Sequence, residues 1–169
     1  LNNRLVTDLM IPNTVTTIGE SAFLGCNSLA SITISDSVTT IGNAAFDRCS
    51  SLTSVTIGNG VTTIGNVVFR YCKKLTSVTM GDSVSTIGYG VFEYCTSLES
   101  VSIPDNVTTI EKAVFYNCSS LTSARLGDSV TTIGPEVFYM CSTLESINIP
   151  NSVATIGYAA FHGCNSLTS

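Results

Sequence analysis

Residues 49–69 read CSSLTSVTIGNGVTTIGNVVF, and close variants of this phrase return along the whole chain every 23 residues. All seven Phe fall on one series: Phe23, Phe46, Phe69, Phe92, Phe115, Phe138 and Phe161. All seven Cys fall on another: Cys26, Cys49, Cys72, Cys95, Cys118, Cys141 and Cys164. Val15, Ile18 and Leu29 each start a series with the same period, and Gly19 starts one that is broken only by Glu111. Self-similarity at a fixed period of about 20–50 residues marks a stacked array, in which no single unit can bury its apolar face alone.

Residues 29–51 serve as one unit. Leu29, Ile32 and Ile34 have the spacing LxxIxI. Ile32 and Ile34 are two apart and share one face of a short strand, with Ser31 and Thr33 pointing out. Ser35-Asp36-Ser37 has turn chemistry, and its counterparts are GNG, GDS, PDN and PNS. Val38-Thr39-Thr40-Ile41 is a second extended piece, and Gly42 supplies a sharp turn after it. The spacing of Ala45, Phe46 and Cys49 then predicts one apolar face of a short helix over about 43–49. Gly134-Pro135-Glu136 supports this, since Pro at the first helical position and an acid just after it favour a helix start. Stacking pairs the strands in parallel at about 4.8 Å. It turns the Phe series into a spine and the Cys series into a ladder beside it.

LxxIxI, a turn, VTTIG and AFxxC on this period resemble a leucine-rich repeat of the Treponema-type subfamily, often called BspA-like. The resemblance covers essentially the whole chain. It implies a right-handed solenoid in the α/β repeat class, with a curved parallel β-sheet on the concave face and short helices on the convex face. It also implies a cell-surface or secreted protein that adheres to host proteins, matrix or other microbes, with no shared catalytic site. Two positions depart from the pattern. Glu111 stands where Gly is usual, and Ala124 stands at a strand position usually held by Ile or Val.

The 169 residues fit a single domain. Apolar residues make up 44%, charged residues 11%, and mean hydropathy is +0.38, so the chain is no disordered polar tail. No apolar run has the length needed to cross a bilayer. LNNRLVTDLM lacks the pattern of a signal peptide, as a mature or trimmed secreted protein also would. A net charge of −5, a pI near 4.6 and a single basic cluster at Arg70, Lys73 and Lys74 argue against nucleic-acid binding. Leu1 sits in the phase of Leu24 and Ser169 in that of Ser31, and neither end has the composition of a polar cap. Residues 1–169 therefore read as one solenoid of about seven repeats, a segment of a longer array.

Several residue patterns invite chemistry. The Cys ladder is read as core packing, because each Cys lies 23 residues from the next whereas metal sites use convergent pairs. His162, the sole His, sits two residues from Cys164 and does not face it on a short helix, so no nucleophilic dyad is expected. Asn13, Asp36, Asn59, Asp82, Asp105, Asp128 and Asn151 form a turn series. Turn stabilisation is the preferred reading of it, with calcium as the alternative. The outward row Thr33, Thr56, Thr79 and Ser102 suits an exposed strand; ice binding is set aside because Arg125 and Asn148 break the row. Two sequons, at Asn106 and Asn117, matter only in a eukaryotic secretory pathway.

Variation between repeats is greatest on the expected convex side. Tyr71, Tyr94, Tyr116 and Tyr139 lie there on four adjacent repeats, beside Arg70 and Met140. Tyr, Arg and Met are enriched at binding interfaces. These six, with Arg125 and Asn148 on the sheet side, are the candidate binding residues. Catalytic, metal-ligating and cofactor residues are all read as none. The expected function is a non-enzymatic binding module that recognises a protein or glycan at a cell surface or in extracellular matrix, with a passive spacer as the alternative.

Overall fold

A computed structural model describes residues 6–168. Leu1 and Ser169, which entered the argument about the ends, lie outside the described residues. The chain winds as a right-handed parallel β-solenoid of about seven turns. Each turn contributes two short strands. The LxxIxI segments form β1 (Asp8–Met10), β3 (Ser31–Ile34), β5 (Ser54–Ile57), β7 (Ser77–Thr79), β9 (Ser100–Ser102), β11 (Ser123–Arg125) and β13 (Ser146–Asn148). The VTTIG segments form β2 (Thr17–Ile18), β4 (Thr40–Ile41), β6 (Thr63–Ile64), β8 (Thr86–Ile87), β10 (Thr109–Ile110), β12 (Thr132–Ile133) and β14 (Thr155–Ile156).

Pairing is parallel throughout and always joins corresponding positions of neighbouring repeats. Ser31 lies against Ser54, Ile32 against Val55 and Ile41 against Ile64. The register follows from burial. A slip by one residue would carry Ile32 and Ile34, 2% and 1% exposed, to the solvent side. Leu, Val, Ile, Phe and Cys of successive coils fill the interior. Phe46, Phe69, Phe92, Phe115 and Phe138 are completely buried. Their rings stack nearly parallel, with centroids 5.3–5.6 Å apart, and Phe23 and Phe161 extend the spine by one ring at each end. Ala124 is buried too, in register between Val101 and Ile147.

The expected convex helices are absent: among the described residues there is no α-helix, so the chain is an all-β solenoid and not an α/β repeat. Residues 43–49 form overlapping tight turns instead. Ala45, Asp47 and Cys49 donate their N–H groups to the carbonyls of Gly42, Ala44 and Phe46, three residues back. Ala44, Phe46 and Arg48 donate outward to Asn66, Val68 and Arg70 of the next coil, at 2.8–3.0 Å. Two residues per coil adopt left-handed φ to allow this alternation, for example Ala44 (54°) and Arg48 (62°). Glu136, read as the second residue of a helix, has φ 58°. The physical reason is width. An α-helix with side chains spans about 10–12 Å, twice the spacing that the Phe spine imposes. Poor helix formers such as Val67-Val68 and Gly90 do not resist the outcome. Hydrogen bonds of similar length tie neighbouring coils on both the strand and the turn sides, so the rise per coil differs little between them.

The Gly series also has a different origin from the one its sequence suggested. Gly42, Gly65, Gly88, Gly134 and Gly157 do not have positive φ. A Cβ on Gly88 would sit 2.7 Å from the carbonyl carbon and oxygen of Gly65 in the coil before, so the coils touch there. Glu111 carries a Cβ at this contact. Both strand ladders are interrupted there, between β7 and β9 and between β8 and β10. The turn-side ladder continues across this seam, with Phe92 N–H donating to Val114 at 2.9 Å.

Candidate functional site

The turn face carries the most varied side chains. Because every second residue there is held coil to coil by backbone bonds, like positions stack directly over one another. Tyr71 and Tyr94 stack at 4.8 Å and 10°. Tyr116 and Tyr139 stack at 4.8 Å and 5°. Between these pairs the rings lie 5.6 Å apart and are tilted by 56°. That junction is the Glu111 seam, and the Tyr also shifts by one place in the repeat there. His162 extends the stack, 4.9 Å from Tyr139. The sequence pattern did not point to His162 as a member of the stripe. Its signal was its place in the repeat, which matches that of Tyr116 and Tyr139.

At the other end Tyr71 is capped by two cations. The guanidinium groups of Arg48 and Arg70 each lie 5.5 Å from its ring centroid. Arg70 also grips Asp47 with two hydrogen bonds, Nη2 to Oδ2 at 2.7 Å and Nε to Oδ1 at 3.3 Å. Asp47, 3% exposed, is a buried carboxylate that sequence reasoning passed over. Its burial is tolerable because the guanidinium fork meets both of its oxygens. Donating to the Asp47 carboxylate raises the pKa of Arg70 further above its ordinary value. Next along the face, burial raises that of the half-buried Glu93.

The faces of the stacked rings are consumed by each other, so the stripe offers ring edges and phenol hydroxyls. Met140 is exposed beside it. The structure thus brings Arg70, Tyr71, Tyr94, Tyr116, Tyr139 and Met140 onto one face. Arg125 and Asn148 lie elsewhere, side by side on paired β11 and β13. Arg125 leans toward the preceding turn and donates to Asp105 Oδ1 at 3.0 Å, which lowers the pKa of that exposed carboxyl.

The other candidate chemistries resolve into packing and turns. Cys72 Sγ donates to the Phe46 carbonyl at 3.2 Å, and Cys95 to that of Phe69 at 3.1 Å. Burial pushes the Cys49 thiol up to about 11, and the thiols of Cys72, Cys95, Cys118 and Cys141 higher than an ordinary thiol as well. Such thiols are poor nucleophiles because the thiolate is the reactive form. With a thiol reagent at pH 8, Cys26, which is exposed, is expected to react first and Cys164, half-buried, more slowly. The five buried thiols are expected to react only on unfolding. Rapid labelling of any of the five in the folded protein would contradict the ladder.

In the turn series, Asp36 Oδ1 accepts the Asn59 N–H at 2.6 Å, and Asp105 Oδ1 accepts that of Asp128 at 3.2 Å. Asn59 does the same for Asp82, which is why Asn and Asp interchange in the row. Among the described residues no group of three His, Cys, Asp or Glu is placed to hold a metal ion. No helix among them is long and apolar enough to cross a membrane.

The family described as BspA type leucine rich repeat region matches residues 2–122 and 62–169, in six copies. Three solved structures are similar. A leucine rich repeat protein of T. pallidum is 30% identical with a TM-score of 0.92, over 96% of this chain and 78% of its own. A leucine rich cell surface protein of Faecalibacterium prausnitzii is 35% identical with a TM-score of 0.88, over 97% of this chain and 47% of its own. A leucine-rich repeat protein of Bacteroides ovatus is 30% identical with a TM-score of 0.65, over 89% of this chain and 47% of its own. The chain therefore spans about half the length of the latter two. No protein of curated function matches it. With the repeat, the solenoid and these likenesses in agreement, the chain belongs to the BspA type leucine-rich repeat family.

Proposed function

We propose that this chain is a non-enzymatic binding module, displayed at a cell surface or secreted, that contacts a protein or glycan through its turn face. The observation that carries this reading is the aromatic stack from Tyr71 to His162, a row of half-exposed rings on five successive coils. A rigid row of this kind loses little conformational entropy on binding, because its rings are already held by one another. Tyr supplies apolar edge and a hydroxyl together, as interface residues do. The likeness to the F. prausnitzii cell surface protein supports the location. Equal repeat length favours a scaffold over an enzyme, since no loop grows out to form a lid or cleft. The spacer alternative draws on the sheet side, where Ser31, Ser54, Ser77, Ser100, Ser123 and Ser146 form an unvaried outward row.

The test is binding of the purified chain to a panel of matrix and cell-surface proteins and glycans. A variant with Tyr71, Tyr94, Tyr116 and Tyr139 changed to Ser runs beside it. Saturable binding that the variant loses, with both proteins folded by circular dichroism, is the expected result. Binding kept by the variant would move the contact to the sheet side, around Arg125 and Asn148. Silence from both would leave the spacer reading in place.

A further inference from the structure

Four of the seven basic residues, Arg48, Arg70, Lys73 and Lys74, gather on two adjacent coils of a chain whose net charge is −5. Asp47 is buried under Arg70, and Glu93 on the next coil also acts on that guanidinium, so the uncompensated positive charge facing solvent is that of Arg48, Lys73 and Lys74. Lys73 and Lys74 form no ion pair among the described residues. Arg48 has 66% of its side chain exposed and only a long, 3.9 Å approach to Asp47. Between these cations lies an open hollow of about 510 Å³, lined by Asn27, Arg48, Ser50, Tyr71 and Lys73. No carboxylate lines it.

We propose that this hollow binds an acidic saccharide, whose sulfate or carboxylate group meets Arg48 and Lys73 while its hydroxyls meet Asn27 and Ser50. Both faces of Tyr71 are already covered, by Tyr94 on one side and by the two guanidiniums on the other. Recognition therefore runs through charge and hydrogen bonds and not through a sugar stacked on the ring. An acidic peptide fits less well. The outward backbone groups of this face are paired coil to coil, as in the bond from Arg48 N–H to Arg70 at 2.8 Å, so a peptide backbone finds no ladder to join. A long nucleic acid needs many phosphate contacts, and the rest of the chain is acidic.

This inference rests on the turn face being the contact surface, and the test separates the two. The whole chain is titrated calorimetrically with a sulfated glycosaminoglycan tetrasaccharide, an oligogalacturonate tetrasaccharide, a neutral tetrasaccharide of glucose and a decaglutamate peptide. Saturable binding of one or both acidic saccharides, weakened by salt and absent for the neutral one, is expected. Which acidic arm binds tells sulfate from carboxylate. Changing Arg48→Gln and Lys73→Gln together is expected to weaken binding about tenfold. Lys112→Gln, which alters a cation paired with Glu136 outside the hollow, should leave it unchanged. No binding by any saccharide, equal binding of the neutral one, binding of decaglutamate as tight as that of the saccharides, or full affinity in the double variant would each overturn the proposal. If those failures occur while the four-Tyr variant still loses a partner from the panel, the site falls and the broader reading stands.

Discussion

Phe92→Ala is expected to lower the unfolding free energy by about 3–5 kcal/mol, read as a fall in the urea midpoint. The ring is completely buried and stacks on two others, Phe69 at 5.6 Å and Phe115 at 5.5 Å. Removing it deletes two stacked contacts and opens a cavity that its neighbours cannot fill, because each is held in place by its own coil. The cost per ring should depend on position. Phe23 is only half-buried and stacks in the described spine on Phe46 alone, so Phe23→Ala should cost less, about 1–2 kcal/mol. The difference follows from the one-dimensional build of a solenoid, where each coil contacts only its neighbours. Phe92→Ala should also flatten the urea transition if it uncouples the coils on its two sides. Equal losses at Phe23 and Phe92 would show that the spine does not work by nearest-neighbour stacking.

The features legible in the sequence are those that in-register stacking forces to repeat. A side chain that packs against its own counterpart one coil away is confined to the same residue type in every coil. Phe and Cys therefore mark the core directly, and the strands Ser31–Ile34 and Ser54–Ile57 fall where LxxIxI places them. The turn face was misread for a physical reason. Three apolar residues at helical spacing are equally consistent with a run of tight turns that buries Ala45, Phe46 and Cys49. Only the spacing between coils decides between the two, and that spacing is a property of the stack, not of one repeat. The aromatic stripe showed in the sequence because it varies while the rest repeats. The cap of Arg48 and Arg70 over Tyr71 did not show. It depends on side chains of neighbouring coils reaching across one another, and so does the burial of Asp47. Two neighbouring repeat positions, one used by Tyr94 and the other by Tyr116, turned out to feed a single stack.

Gly88→Ala is expected to destabilise the protein by about 2 kcal/mol, although Ala is in general the more stabilising residue. The added Cβ would lie 2.7 Å from the backbone carbonyl of Gly65, so coils three and four must part. Parting them strains three bonds of the ladder: Ser85 N–H to Thr62 at 3.0 Å, Thr86 N–H to Thr62 at 3.1 Å and Gly88 N–H to Ile64 at 2.9 Å. At about 1 kcal/mol each these outweigh the roughly 0.4–1 kcal/mol that a Gly to Ala change returns through the unfolded chain. The chain already contains the mirror experiment. From Gly42 onward, Glu111 alone in this series lacks the bond to the preceding coil among the described residues, whereas Gly134 makes it to Ile110 at 2.8 Å. Glu111→Gly should therefore close the seam between β8 and β10. The gain is small, about 1 kcal/mol, because the new Gly costs about 0.5–1 kcal/mol of chain entropy against the bonds it restores. Amide exchange gives the local readout: protection at residues 109–111 should rise in Glu111→Gly, and protection at residues 85–88 should fall in Gly88→Ala. If Gly88→Ala proved neutral with its ladder intact, close approach would not be what keeps this position glycine, and the seam at Glu111 would need another cause.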